Sequence, residues 1–132
     1  MKKLTTLVFI LLGFLISTCG SGDQITINTE ITGSWRLIES YVDPGDGSGT
    51  FSTSDKGKTI EFKDNLTVNS NGNLCSMFES ELVPSSGTYT LSDSTLTSPN
   101  CDYSVHFQLS NNNLIVWYPC FEGCAEKYIK TN

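Results

Sequence analysis

The residues of this chain with chemistry to offer are five cysteines, one histidine and a short acidic, glycine-rich run. A cysteine can attack a carbonyl, hold zinc or pair as a disulfide, depending on its neighbours and compartment. Cys75, Cys101, Cys120 and Cys124 show no Cys-x-x-Cys spacing of the kind that builds a zinc site. His106 is the single histidine, and no Gly-x-Ser-x-Gly occurs, so a Ser-His-Asp arrangement has nothing local to build on. Glu79 and Glu81 sit in a loop after Cys75, where a solvated pair is the expectation rather than a glycosidase dyad. The run Asp43-Pro44-Gly45-Asp46-Gly47-Ser48-Gly49 lacks the Lys-Ser/Thr and following helix of a phosphate cradle. It offers oxygens of Asp43, Asp46 and Ser48 to calcium, but without the EF-hand spacing or its terminal Glu, so a glycine-rich turn or lid is expected. No catalytic residue, metal or cofactor is expected, and the chain does not read as an enzyme.

The fifth cysteine stands apart. In LLGFLISTCGSGDQ (11–24) an oily run stops at Cys19 and the chain turns small and polar. Met1-Lys2-Lys3 and the apolar residues up to Ile16 have the charged and apolar regions of a secretory signal. The run is shorter than the ~20 apolar residues that cross a bilayer, and no basic flank follows it. Leu15-Ile16-Ser17-Thr18-Cys19 resembles a bacterial lipobox, which implies acylation of Cys19 and removal of residues 1–18. Two or three acyl chains, at ~0.8 kcal/mol per buried methylene, anchor a protein to a membrane stably. Gly20, rather than Asp, follows Cys19, which implies export to the outer membrane, and residues 19–32 then read as the lipidated cysteine and a flexible tether.

Taking 18 residues from 132 leaves 114, the size of one domain with one core. Six basic residues then face fourteen acidic ones, a formal net charge of −8 that repels nucleic acid and anionic membranes. No mature segment shows a sustained 3.6-residue apolar period. Short alternating runs bounded by Gly, Asn, Asp, Ser and Pro recur instead, as in all-β domains. Eight strands are expected, over 33–42, 59–63, 66–70, 87–91, 95–98, 103–109, 114–118 and 125–130. Asp64-Asn65, Ser92-Asp93-Ser94, Asn111-Asn112-Asn113 and Phe121-Glu122-Gly123 supply turn chemistry at the joints. Tight turns between consecutive strands make an antiparallel meander. Eight strands close into an up-and-down β-barrel without edges, and a two-sheet sandwich is the other solution.

ITGSWRLIESYVDPGDGSGTF (31–51), KTIEFKDNLTV (58–68), SGTYTLSDSTL (86–96) and LIVWYPCFEGCAEKYIK (114–130) resemble the small lipocalin-like lipoproteins of Gram-negative bacteria. Gly33-Ser34-Trp35 resembles the lipocalin G-x-W, whose Trp plugs the closed end of the barrel beneath a basic residue of the last strand. The resemblance implies that Lys127 or Lys130 fills that second place through a cation–π contact. It also implies a lipocalin-like barrel over residues 33–132, taken to be a monomer, that holds a small hydrophobic ligand at its open end.

Alternation assigns the faces. Trp35, Leu37 and Tyr41, Ile60 and Phe62, Leu66 and Val68, Tyr89 and Leu91, Leu96, and Tyr103, Val105, Phe107 and Leu109 fall inside, opposite Arg36, Glu61, Lys63, Thr88, Thr90, His106 and Gln108. Tyr41, Phe62, Tyr89, Phe107 and Tyr118 are the candidate ligand contacts. Ile115 and Trp117 are left apolar on the outside and need cover, from the tether or a partner. In a meander the connections after strands one, three, five and seven share one end, which gathers the 43–54 loop, Cys75, Cys101, Cys120 and Cys124 on one rim. Four cysteines in an exported chain read as two disulfides with three pairings open, of which Cys75 with Cys101 and Cys120 with Cys124 is favoured. At the opposite end, Asp93-Ser94-Thr95 suits a hairpin turn and also resembles the acceptor of some bacterial O-glycosylation systems, which makes Ser94 a candidate glycosylation site. Two functions remain: binding a small hydrophobic ligand, or docking on or inhibiting another envelope protein through disulfide-braced rim loops. An interior cavity of ~300 Å³ or more suits the first and a plugged interior the second.

Overall fold

The computed structural model describes residues 30–131. Among them there is no helix, and nine strands form one antiparallel sheet closed on itself. In chain order they are β1 (Gly33–Val42), β2 (Thr50–Thr53), β3 (Thr59–Phe62), β4 (Thr67–Ser70), β5 (Ser85–Thr90), β6 (Thr95–Thr97), β7 (Val105–Ser110), β8 (Asn113–Tyr118) and β9 (Cys124–Thr131). From β3 onward each strand pairs with the next, and β9 returns to β1, with Ser34 opposite Thr131 and Val42 opposite Cys124. The other edge of β1 is shared, with β3 against its first half and β2 against its second. Nine strands therefore fill the eight positions of a closed up-and-down barrel, which leaves no long edge for another chain to pair with. The strand missing from the alternation reading is β2, whose four residues, Thr-Phe-Ser-Thr, hold one large apolar side chain and so give no period to detect.

A bulge in β1 redirects the rim half of that strand. Leu37 pairs with Tyr128 and Glu39 with Lys127, so Ile38 is an extra residue and the pairing shifts by one. A one-residue shift exchanges the faces of everything beyond it. Trp35 and Leu37 point inward as alternation requires, but Tyr41 lies on the outer face, where its ring meets Phe51 at 5.3 Å and Trp117 at 5.9 Å between centroids. The inner placement of Tyr41 is thus corrected. The same bulge sets the Tyr41 ring edge-on against Trp117, which keeps 38% of its surface exposed. Two other inner placements also change. Leu66 adopts φ 64° in the β3–β4 turn and is 37% exposed, and Tyr103 precedes β7 in a rim loop.

The closed end is built around Trp35. Its indole Nε1 donates to the Ile31 carbonyl at 2.8 Å, and the Lys130 ammonium lies 5.5 Å from the ring centroid. Ile31, read from the sequence as the end of the tether, is fully buried here. Gly33 has φ 121°, a conformation that favours glycine at the first position of G-x-W, and a Cβ there would also have to push back the Lys130 Cε, 3.0 Å away. Ser94 has φ 53° and closes the β5–β6 turn at this end, its N–H donating to the Leu91 carbonyl and its own carbonyl accepting from Phe107 N.

Candidate functional site

The rim is made by the connections 43–49, 71–84, 98–104 and 119–123, all at the end of the barrel away from Trp35. The longest of them turns inward. Leu74 and Met77 are buried against the core and stop the mouth of the barrel. Several bonds hold this plug in place. Cys75 is bonded to Cys101, and Tyr103 Oη donates to the Cys75 carbonyl at 3.0 Å. Lys56 Nζ donates to the Met77 carbonyl at 2.7 Å, and Lys58 Nζ to the Ser76 carbonyl at 3.2 Å. Ser85 Oγ accepts from Leu74 N and donates to the Gly72 carbonyl. A second disulfide, Cys120 to Cys124, closes the last hairpin.

The 43–49 connection is ordered by one carboxylate. Asp43 Oδ1 accepts from Gly45 N at 2.7 Å and Gly47 N at 3.1 Å, while Oδ2 accepts from Gly49 N at 3.1 Å and from Tyr41 Oη at 3.2 Å. These hydrogen bonds, the one from Gly45 foremost, hold the Asp43 carboxyl below its ordinary range against the opposing effect of burial. The glycines let backbone amides crowd that carboxylate: a Cβ on Gly49 would lie 2.7 Å from the Tyr41 ring and hydroxyl. Donors rather than a cation surround Asp43, and its oxygens are already spent on the loop.

Inside the barrel the candidate ligand contacts separate. Phe62, Tyr89 and Phe107 meet edge to face, with centroids 5.0 to 6.4 Å apart, and fill the lower interior with one another. Tyr118 belongs to a second cluster nearer the rim, which sequence reasoning missed. There Lys58 Nζ lies 2.7 Å from Glu126 Oε2, and the Tyr118 and Tyr128 hydroxyls each donate to the same oxygen at 2.6 Å. Lys58 and Glu126 are 3% and 0% exposed. Burial pushes the hydroxyls of Tyr118 and Tyr128 well above the ordinary tyrosine range, and the Glu126 charge adds to it. Burial pulls the Lys58 ammonium down, against the opposing pull of Glu126. A charge in a barrel core is tolerated only when paired, as these are. The readable signal was parity in β9, where Glu126 shares the inner face with Tyr128; nothing about Lys58, which lies in a connection, marked it as buried.

The remaining candidates are dispersed. His106 is exposed on the outer wall of β7, opposite Thr95 and Trp117. Glu79 and Glu81 are exposed on the plug loop, and Glu79 accepts from Asn73 Nδ2 at 3.1 Å. Cys19 lies outside the described residues. A hollow of about 510 Å³ opens at the closed end beside Trp35, Leu109, Asn112 and Lys130, and two of about 320 and 310 Å³ lie on the outer wall along β4. None of these three is lined by Phe62, Tyr89 or Phe107.

No curated protein and no solved structure matches the chain. The model of the lipocalin-like domain family matches residues 31–116, more than half of the chain, from the buried Ile31 through Trp35 and the aromatic core to Val116 in β8. With its closed antiparallel barrel and its Trp-plugged end, the chain belongs to the lipocalin-like domain family.

Proposed function

We propose that this protein is a lipid-anchored, non-catalytic binding protein of a Gram-negative cell envelope, and that it engages another envelope protein through its disulfide-braced rim loops. The observation that carries this reading is the distribution of exposed apolar side chains. Phe78, Leu82, Val83, Tyr103 and Phe121 all lie in the rim connections, and Val42 lies at the rim end of β1. Phe121 is wholly exposed, and Phe78 and Val83 are more than 60% exposed. Exposed apolar residues gathered at one end of a molecule mark an interaction surface. The interior behind them is occupied by the plug loop, the Lys58–Glu126 cluster and the three edge-to-face rings. The chain enters the barrel at the opposite end, at Glu30, so an anchor on Cys19 attaches to the end away from the rim.

Binding of a small hydrophobic ligand at the open end is the second reading. Membership of a lipocalin-like family favours it, and so does the aromatic cluster of Phe62, Tyr89 and Phe107 below the plug. Such a ligand would sit against the rim loops, or would need Leu74 and Met77 to withdraw.

Site-specific photocrosslinking in intact cells tests the proposal. A benzophenone side chain at Phe78 or Phe121 is expected to give discrete protein-sized adducts, and one at Asn112 at the closed end none. Equal adducts from both ends, or none from the rim, would contradict it. Loss of labelled fatty acid in Cys19→Ala, with retention in the unaltered chain, tests the anchor.

A further inference from the structure

We propose that the partner surface taken by the rim is at once basic and apolar, a cationic amphipathic segment of a polypeptide; this rests on the reading that the rim is the working face. The four rim connections carry the exposed carboxylates of Asp46, Glu79, Glu81, Asp102 and Glu122, and not one Lys, Arg or His. The cations lie elsewhere. Lys63 and Lys130 are at the closed end, Arg36 and Lys127 are on the wall, and Lys58 is buried. Lys56, in the connection that follows β2, is exposed and reaches the edge of this face, where it donates to the Met77 carbonyl.

Apolar side chains are interleaved with these carboxylates along the chain: Phe78 precedes Glu79, Glu81 precedes Leu82 and Val83, Asp102 precedes Tyr103, and Phe121 precedes Glu122. A neutral apolar ligand would leave the carboxylates unused and partly desolvated, which costs free energy. An anionic lipid surface or acidic protein would be repelled by them. A helix or strand bearing Lys or Arg beside Leu or Phe satisfies both halves of the surface, and electrostatic attraction speeds its arrival.

The test uses the purified protein in neutral phosphatidylcholine nanodiscs, with empty nanodiscs as the blank. Three probes are titrated: a Lys/Leu amphipathic peptide, a Glu/Leu peptide with the same apolar face, and the neutral fluorophore N-phenyl-1-naphthylamine. The Lys/Leu peptide is expected to bind at least about tenfold more tightly than the Glu/Leu peptide, with the gap closing as salt shortens the screening length to a few Å. Glu79→Lys/Glu81→Lys/Asp102→Lys is expected to reverse the ranking, Phe78→Ser/Phe121→Ser to weaken both peptides, and Asp64→Lys/Asp93→Lys at the closed end to change neither. Equal affinity for the two peptides, or a ranking unmoved by the rim charge reversal, overturns the inference. If only the fluorophore binds, and the Phe78/Phe121 variant loses it, the inference fails while the rim remains the binding face. If no probe responds to either rim variant, both fail.

Discussion

Lys58 and Glu126, 68 residues apart in sequence, form a buried ion pair at 2.7 Å inside the barrel, and the same Glu126 oxygen also accepts from Tyr118 and Tyr128. This pair links the connection before β3 to the last strand and lies beneath the Ser76 carbonyl of the plug loop. It occupies space that a ligand would need. Removing one partner strands the other charge in the core, at a cost of about 3–5 kcal/mol. Lys58→Met is therefore expected to destabilise by that amount in urea unfolding. Lys58→Met combined with Glu126→Gln, which keeps an acceptor for both tyrosines, is expected to recover at least half. Equal midpoints for the single and double variants would contradict the pairing.

The buried tyrosines set the alkaline limit. Their folded-state values are raised above the ordinary 10.0, so the native state keeps protons that the unfolded chain gives up. Their contribution is fully present below pH 10 and is lost as pH rises beyond it. Lys58 acts in the opposite sense, since its value is lowered from 10.5, so the tyrosine effect is read by difference. Tyr128→Phe is expected to flatten the fall in stability above pH 10 relative to the unaltered chain. An unchanged slope would contradict it.

Asp43 sets part of the acid limit. Its folded value lies below the ordinary 3.8, so its contribution is present above that pH and is lost as pH falls through the folded value. Asp43→Asn is expected to lower stability near neutrality and to reduce its further loss on acidification. A steeper acid decline in the variant would show that the 43–49 loop is not organised by this carboxylate.

Trp35 and His106 make a contrast between the plug and the wall. Trp35→Ala is expected to cost ~3–5 kcal/mol by leaving a cavity under Lys130, and His106→Ala to stay within ~0.5 kcal/mol. Comparable denaturant midpoints would mean that the faces of β1 or β7 are misassigned.

Most of the barrel was legible because its signals are local. Alternation marks the inner residues of β3 and β7, and Asn, Asp and Gly mark the turns. Meander parity alone puts the four cysteines on one rim, and the structure joins Cys75 to Cys101 and Cys120 to Cys124. Tyr41 was misplaced because the bulge at Ile38 carries no glycine or proline to announce it. Lys58 was missed because a residue in a connection has no parity, and the direction of its side chain is set by Glu126 across the barrel. The charge pattern of the four rim connections, five exposed carboxylates and no cation among their own residues, was written in the sequence. It took meaning only once the fold had brought them together.

Native mass spectrometry of the protein released gently from membranes tests most directly whether a filled barrel works through its rim. The expected mass is that of the polypeptide with its covalent modifications, with no noncovalently held small molecule. A stoichiometric lipid-sized ligand that is lost on collisional activation, and whose retention depends on Phe62, Tyr89 or Phe107, would contradict the filled interior.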